Sequence, residues 1–121
     1  MKYMALIYGD QRMWDGFSAA EKEAAYELYR AFANDAREAG VLVGGDELAS
    51  TSDATTVRIR GGETLVTDGP YAEVKEALGG YFVLECDSLD DAVQRAARIP
   101  GAEHGAVEVR PVYFDPAEAQ L

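Results

Sequence analysis

Fifteen residues, TDGPYAEVKEALGGY (Thr67–Tyr81), concentrate the groups in this chain that are able to do chemistry. Asp68 stands before Gly69-Pro70, where a carboxylate can accept backbone hydrogen bonds and stiffen a turn, or can serve as a base. Lys75 supplies an ammonium that orients an acid or steadies an anion in a partly desolvated cleft. The plain alternative is that Glu73, Lys75 and Glu76 form a solvated charged linker. Tyr71 and Tyr81, with Trp14 from the link Gln11 to Phe17, are the candidate binding residues. With Tyr3 and Tyr8 they could wall a pocket between a sheet and a hairpin, or serve as core and interface. His104 is the one side chain with an ordinary pKa near neutrality, and it can act as an acid–base group or face solvent.

Other chemistries find no support in the spacing. The single histidine and single cysteine leave no His-x-x-x-His, Cys-x-x-Cys or calcium-loop pattern, so no metal site is expected. The glycine pairs at 44–45, 61–62 and 79–80 lack the phosphate-cradling patterns, no serine sits in a nucleophile elbow, and no cofactor is expected. Cys86 falls in an apolar strand pattern and is expected to be a buried, inert thiol, at home in a reducing cytoplasm. Eleven Lys and Arg face 22 Asp and Glu, a net charge of −11 that repels a phosphate backbone and argues against direct nucleic-acid binding. No apolar run approaches the ~20 residues needed to span a bilayer, and MKYMALIYGD is expected to be a first strand rather than a leader.

The length, 121 residues, suits one domain, read as residues 1–115 with a flexible tail at 116–121. Tyr3 to Tyr8 is a short apolar strand ended by Gly9-Asp10. Ser18 and Glu21 have capping-box spacing, and Ala25, Leu28, Tyr29, Phe32, Ala36 and Ala39 form the apolar stripe of a helix closed at Gly40. Val41 to Leu48 is a second strand, bent at Gly44-Gly45. Thr55 to Arg60 and Glu63 to Thr67 flank Gly61-Gly62, a two-residue hairpin that sets Arg60 opposite Glu63 and Val57 opposite Val66. Tyr81 to Cys86 is another strand. Ser88 caps a second helix with Leu89, Ala92, Val93, Ala96 and Ala97 on its stripe, and Ala106 to Val112 is the last strand.

Setting the hairpin aside leaves βαββαβ, the ferredoxin-like order of an α+β fold, in which both helices cover one face of an antiparallel sheet. YMALIY and YFVLEC nevertheless place apolar side chains on both faces. A second subunit packed sheet to sheet solves that problem, so a homodimer through the open face is expected.

Four stretches carry a resemblance: KYMALIYGD, GVLVGGDEL, TVRIRGGETLVTDGPYAEVKEALGGYFVLE and AVEVRPV. Across about residues 2 to 113 the chain resembles the DGPF-motif branch of the YCII-related family, with Asp68-Gly69-Pro70-Tyr71 as the motif and tyrosine in place of the usual phenylalanine. The resemblance implies a ferredoxin-like fold and a dimer across the sheets. A histidine–aspartate pair proposed as an active site in the compact branch has no counterpart, because Glu21, Lys22 and Glu23 occupy the region of its histidine. A relative in chloroaromatic degradation resembles a dehydrochlorinase, and related domains occur beside extracytoplasmic-function sigma factors. Two functions are therefore expected in parallel. One is a cofactor-independent lyase or isomerase acting on a small polar or aromatic compound, with Asp68 and Lys75 catalytic. The other is a non-catalytic small-ligand-binding or protein-interaction module, accessory to transcription regulation in one form.

Overall fold

A computed structural model describes residues 1–117, so the tail expected at 116–121 lies outside the described residues beyond Ala117. In chain order the elements are β1 (Lys2–Gly9), α1 (Gln11–Asp15), α2 (Ala19–Glu38), β2 (Leu42–Glu47), β3 (Thr55–Arg60) and β4 (Glu63–Asp68). They are followed by β5 (Ala77–Glu85), α3 (Leu89–Ala96) and β6 (Ala106–Pro111), with short 3-10 turns at Thr51–Asp53 and Pro100–Ala102. The fold is α+β. Four strands form one antiparallel sheet in the order β2-β5-β1-β6, and β3 pairs only with β4 in a separate two-stranded sheet.

Local chemistry places the elements. The Ser18 hydroxyl accepts the Glu21 N–H and the Glu21 carboxylate accepts the Ser18 N–H, closing the expected capping box on α2. Gly61 and Gly62 both hold positive φ, 57° and 80°, as a two-residue hairpin turn requires, and Arg60 faces Glu63 while Val57 faces Val66. The link Gln11 to Phe17 opens with the short helix α1. The Asp10 carboxylate caps α1 by accepting the Arg12 N–H, and the Arg12 guanidinium bonds back to it at 3.0 Å.

Along β1 the odd residues Tyr3, Ala5 and Ile7 face the helices, and the even residues face away. Opposite them, Leu84 and Phe82 of β5 and Val109 and Val107 of β6 point to the same side. The Phe82 ring meets Phe32 of α2 at 4.8 Å and Tyr29 at 6.5 Å. Cys86 is buried beside this core, as expected, and its thiol is pushed up in pKa chiefly by burial.

Three sequence expectations need correction. Leu28 is 60% exposed, so the buried stripe of α2 runs through Tyr29, Phe32 and Ala36. On α3 it is Ala92 and Ala96 that are buried, while Leu89 and Val93 lie exposed; Ile99, three residues beyond Ala96, is 1% exposed and completes that stripe. Strand β5 begins at Ala77, not Tyr81, which takes Gly79-Gly80 into the sheet. Gly80 belongs there because a Cβ would stand 2.9 Å from the Asp46 carbonyl oxygen.

These placements give a paired test. Leu84, 1% exposed between the sheet and helices, is expected to cost about 2–5 kcal/mol on truncation to alanine. Leu28→Ala is expected to stay within about 0.5 kcal/mol. Urea unfolding followed by circular dichroism measures both, and equal losses would contradict the assignment of the helix face.

Candidate functional site on the open sheet face

The side of the sheet away from the helices has a regular composition set by register. Met4, Leu6 and Tyr8 of β1 lie beside Val83, Tyr81 and Leu78 of β5, and all six are half-buried. Across the other edge Met4 faces Arg110 and Leu6 faces Glu108. This is an apolar floor with Arg110 and Glu108 along its β6 border.

A fixed polar pair stands on that floor. Register places Asp46 of β2 opposite Tyr81, and the Tyr81 hydroxyl donates to Asp46 Oδ2 at 2.8 Å. This hydrogen bond, reinforced by the carboxylate's charge, pushes the phenol pKa above 10.0. Asp46 escaped the sequence reading. Its signal was the alignment of GGDEL against GGYFVLE, which becomes visible only when β2 is paired with β5. The pair has a counterpart on the helical side, where the Tyr26 hydroxyl of α2 donates to Glu47 Oε1 at 2.9 Å.

The DGP turn is held by other groups than its aspartate. Gly69, at φ 103°, donates its N–H to the Ala54 carbonyl, and its own carbonyl accepts the Thr56 hydroxyl, both at 2.8 Å. Asp68 ends β4 opposite Thr55 and is exposed. Its carboxylate makes no hydrogen bond or ion pair among the described residues. Lys75 is also exposed and without an ion pair among the described residues. It lies close enough to Asp10 to help lower that carboxyl's pKa, a minor contribution after the Arg12 side-chain and backbone hydrogen bonds.

The three aromatic candidates lie apart. Tyr81 is on the open face. Tyr71 is largely exposed, with the Arg58 guanidinium 5.4 Å from its ring centre. Trp14 lies against α2, in contact with Phe17 at 5.7 Å and Tyr26 at 5.4 Å, with the Lys22 ammonium 5.6 Å from its ring. Tyr3 faces the helices as a core residue, and His104 is exposed before β6. One chain therefore does not gather Asp68, Lys75, Tyr71, Tyr81 and Trp14 into a single pocket. A cleft of about 450 Å³ lies between the end of α2 and α3, beside Gly40, Cys86, Arg95 and Arg98. A second, of about 410 Å³, is lined by Met1, Lys2, Val43, Glu85, Val112 and Tyr113 along with Asp115. Neither contains any of the five candidates.

Among the described residues no three His, Cys, Asp or Glu side chains come together as metal ligands, and no helix is long and apolar enough to cross a membrane.

The Tyr81–Asp46 pair makes a titration prediction. Asp46→Asn removes the negative charge that opposes phenolate formation, so Tyr81 is expected to ionise at lower pH, closer to 10.0. A raised folded-state pKa stabilises the fold below the unfolded value and loses that contribution as pH rises through the folded one. The difference in tyrosinate absorbance between wild type and Asp46→Asn measures the shift. Superimposable titrations would show that the bond does not hold in solution.

Comparison with known proteins agrees with the extent of the resemblance. An uncharacterized protein of Rhizobium meliloti (strain 1021), R00369, is 37% identical over 121 residues, covering 98% of each chain. Residues 1–114 match the YCII-related domain, nearly all of the strands, helices and open face described above. The chain belongs to the YCII-related family.

Proposed function

We propose that the protein is a ferredoxin-like subunit of the DGPF branch, a cytoplasmic homodimer that binds a small polar or aromatic compound without a cofactor. The strand order β2-β5-β1-β6 and the Asp68-Gly69-Pro70-Tyr71 turn support the fold and branch. One observation carries the binding role: an apolar floor left uncovered by the helices bears an oriented phenol–carboxylate pair. An aromatic ring gains from burial against Met4, Leu6 and Val83. A donor on its rim reaches the oxygen lone pairs that Asp46 has left after accepting from Tyr81.

A second reading, a cofactor-independent lyase or isomerase, rests on a separate observation. The structural tasks open to Asp68 and Lys75, holding the turn and forming an ion pair, are carried by Gly69, Thr56 and Arg12. Asp68 then takes a proton from an activated carbon, and Lys75 steadies the resulting anion.

Calorimetry with a panel of small aromatic acids and enolisable compounds, followed by turnover assays, separates the two. Binding is expected to weaken at least about tenfold in Tyr81→Phe and in Asp46→Asn, the loss of an oriented polar contact. Under the catalytic reading Asp68→Asn and Lys75→Met abolish turnover and leave binding within about threefold. Binding that ignores Tyr81 and Asp46 would overturn the floor as the site.

A further inference from the structure

The hairpin β3–β4 has an uncovered apolar face. Val57, Ile59 and Val66 alternate onto one side of it and are 61%, 58% and 64% exposed. The other side carries Arg58 against Tyr71. No strand of the four-stranded sheet pairs with it, and the bonds described above, Gly69 to Ala54 and Thr56 to Gly69, close its base on itself. A lone two-stranded hairpin is marginal in water, and a contiguous exposed apolar face on it marks a surface for association.

At the opposite end of the open face lies a matching surface. The hairpin root joins the sheet where β1 ends and β5 begins, since Leu48 donates to Gly79 and Thr51 bonds to Gln11. The cleft lined by Val43, Val112 and Tyr113 sits where β1 begins and β5 ends. Its apolar wall is uncovered, with Tyr113 fully exposed and Val43 more than half exposed. Its charges are paired within it, Glu85 with the Met1 amino terminus and Asp115 with Lys2, so it asks for no countercharge from an occupant. Arg60 stands with Arg58 on the other side of the arm, away from Val57, Ile59 and Val66.

We infer that β3–β4 is an exchange arm: in the dimer it lays Val57, Ile59 and Val66 into the Val43–Val112–Tyr113 cleft of a second copy. This rests on the homodimer proposed above and specifies how it is closed. A two-fold axis between the sheets and across the strands brings the root end of one subunit over the cleft end of the other, twice by symmetry. Area and charge support the same arrangement. Four strands about 4.8 Å apart and about 20 Å long give a footprint of roughly 400 Å², about half of the ~800 Å² each partner buries in a stable dimer. An arm face adds roughly 200 Å² where it is given and as much where it is received. The arm is also neutral, with Arg58 and Arg60 against Glu63 and Asp68, leaving nine basic and twenty acidic residues elsewhere to carry the whole −11. It is the segment a second acidic copy can meet without repulsion.

Sedimentation velocity across a dilution series tests the arm, with circular dichroism to verify the fold. Wild type is expected to be a dimer. Val57→Asn with Val66→Asn, and separately Tyr113→Ser with Val43→Asn, are expected to weaken it at least about tenfold. All four positions are exposed in the single chain, so folding is expected to survive; Ile59→Asn alone is the milder variant if the double change unfolds. Leu6→Glu, at the centre of the open face, is the comparison. A dimer lost in Leu6→Glu but unchanged in the arm and cleft variants overturns the arm and leaves the sheet-to-sheet dimer standing. A monomeric wild type overturns both.

Discussion

Two helices on one side of a four-stranded sheet are the constraint from which the rest follows. Side chains alternate along a strand, so β1 cannot send Tyr3, Ala5 and Ile7 to α2 and α3 without sending Met4, Leu6 and Tyr8 the other way. Had these been serines and lysines, the open face would be an ordinary solvated surface. They are apolar, and β5 adds Leu78 and Val83 beside them. The helical side is saturated by Phe32, Leu84 and Ile99. Any further burial has to come from outside the chain, whether from a ligand, a second subunit or both.

Close strand approach puts chemistry on that face. A Cβ at Gly45 would lie 2.6 Å from the Tyr81 carbonyl oxygen, and one at Gly80 would lie 2.9 Å from that of Asp46. The two glycines therefore flank the Asp46–Tyr81 register on opposite strands, and a larger residue at either would force β2 and β5 apart. Both members of the pair come from strands, not loops, so the backbone ladder sets their spacing. The DGP turn is rigid by a different means, a left-handed glycine and two hydrogen bonds that bypass the aspartate side chain.

Much of the scaffold was legible in the sequence because its signals are local. The Ser18–Glu21 capping box, the Gly61-Gly62 turn and the alternating last strand each depend on residues within one element. What escaped depends on partners far along the chain. Gly79-Gly80 reads as a junction until β2 lies against it, and Asp46 reads as one more polar residue of the second strand until Tyr81 is its neighbour. Leu28 and Val93 fit the helical period but sit one position off the face that Phe32 and Ala96 define. Trp14, grouped by residue type with the pocket tyrosines, is taken by Phe17 and Tyr26, because the short helix before α2 turns it toward that helix. Residue type proposes a site; register assembles it.

The loop and the arm are mechanically one piece. Asp68 is the last residue of β4, Tyr71 carries Arg58 from the arm above it, and Lys75 stands two residues before β5 begins. Any force on the arm is thus transmitted to Asp68 and Lys75, through a turn whose Gly69 is bonded on both its amide and its carbonyl. In an arm-exchanged dimer the segment from Thr55 to Lys75 is held at its root by its own subunit and along the arm by the partner. Ordering such a segment costs conformational entropy, and association is what offsets it. Assembly and any chemistry of Asp68 and Lys75 are then linked thermodynamically: a ligand that fixes the loop tightens the dimer, and the dimer tightens the ligand by the same factor.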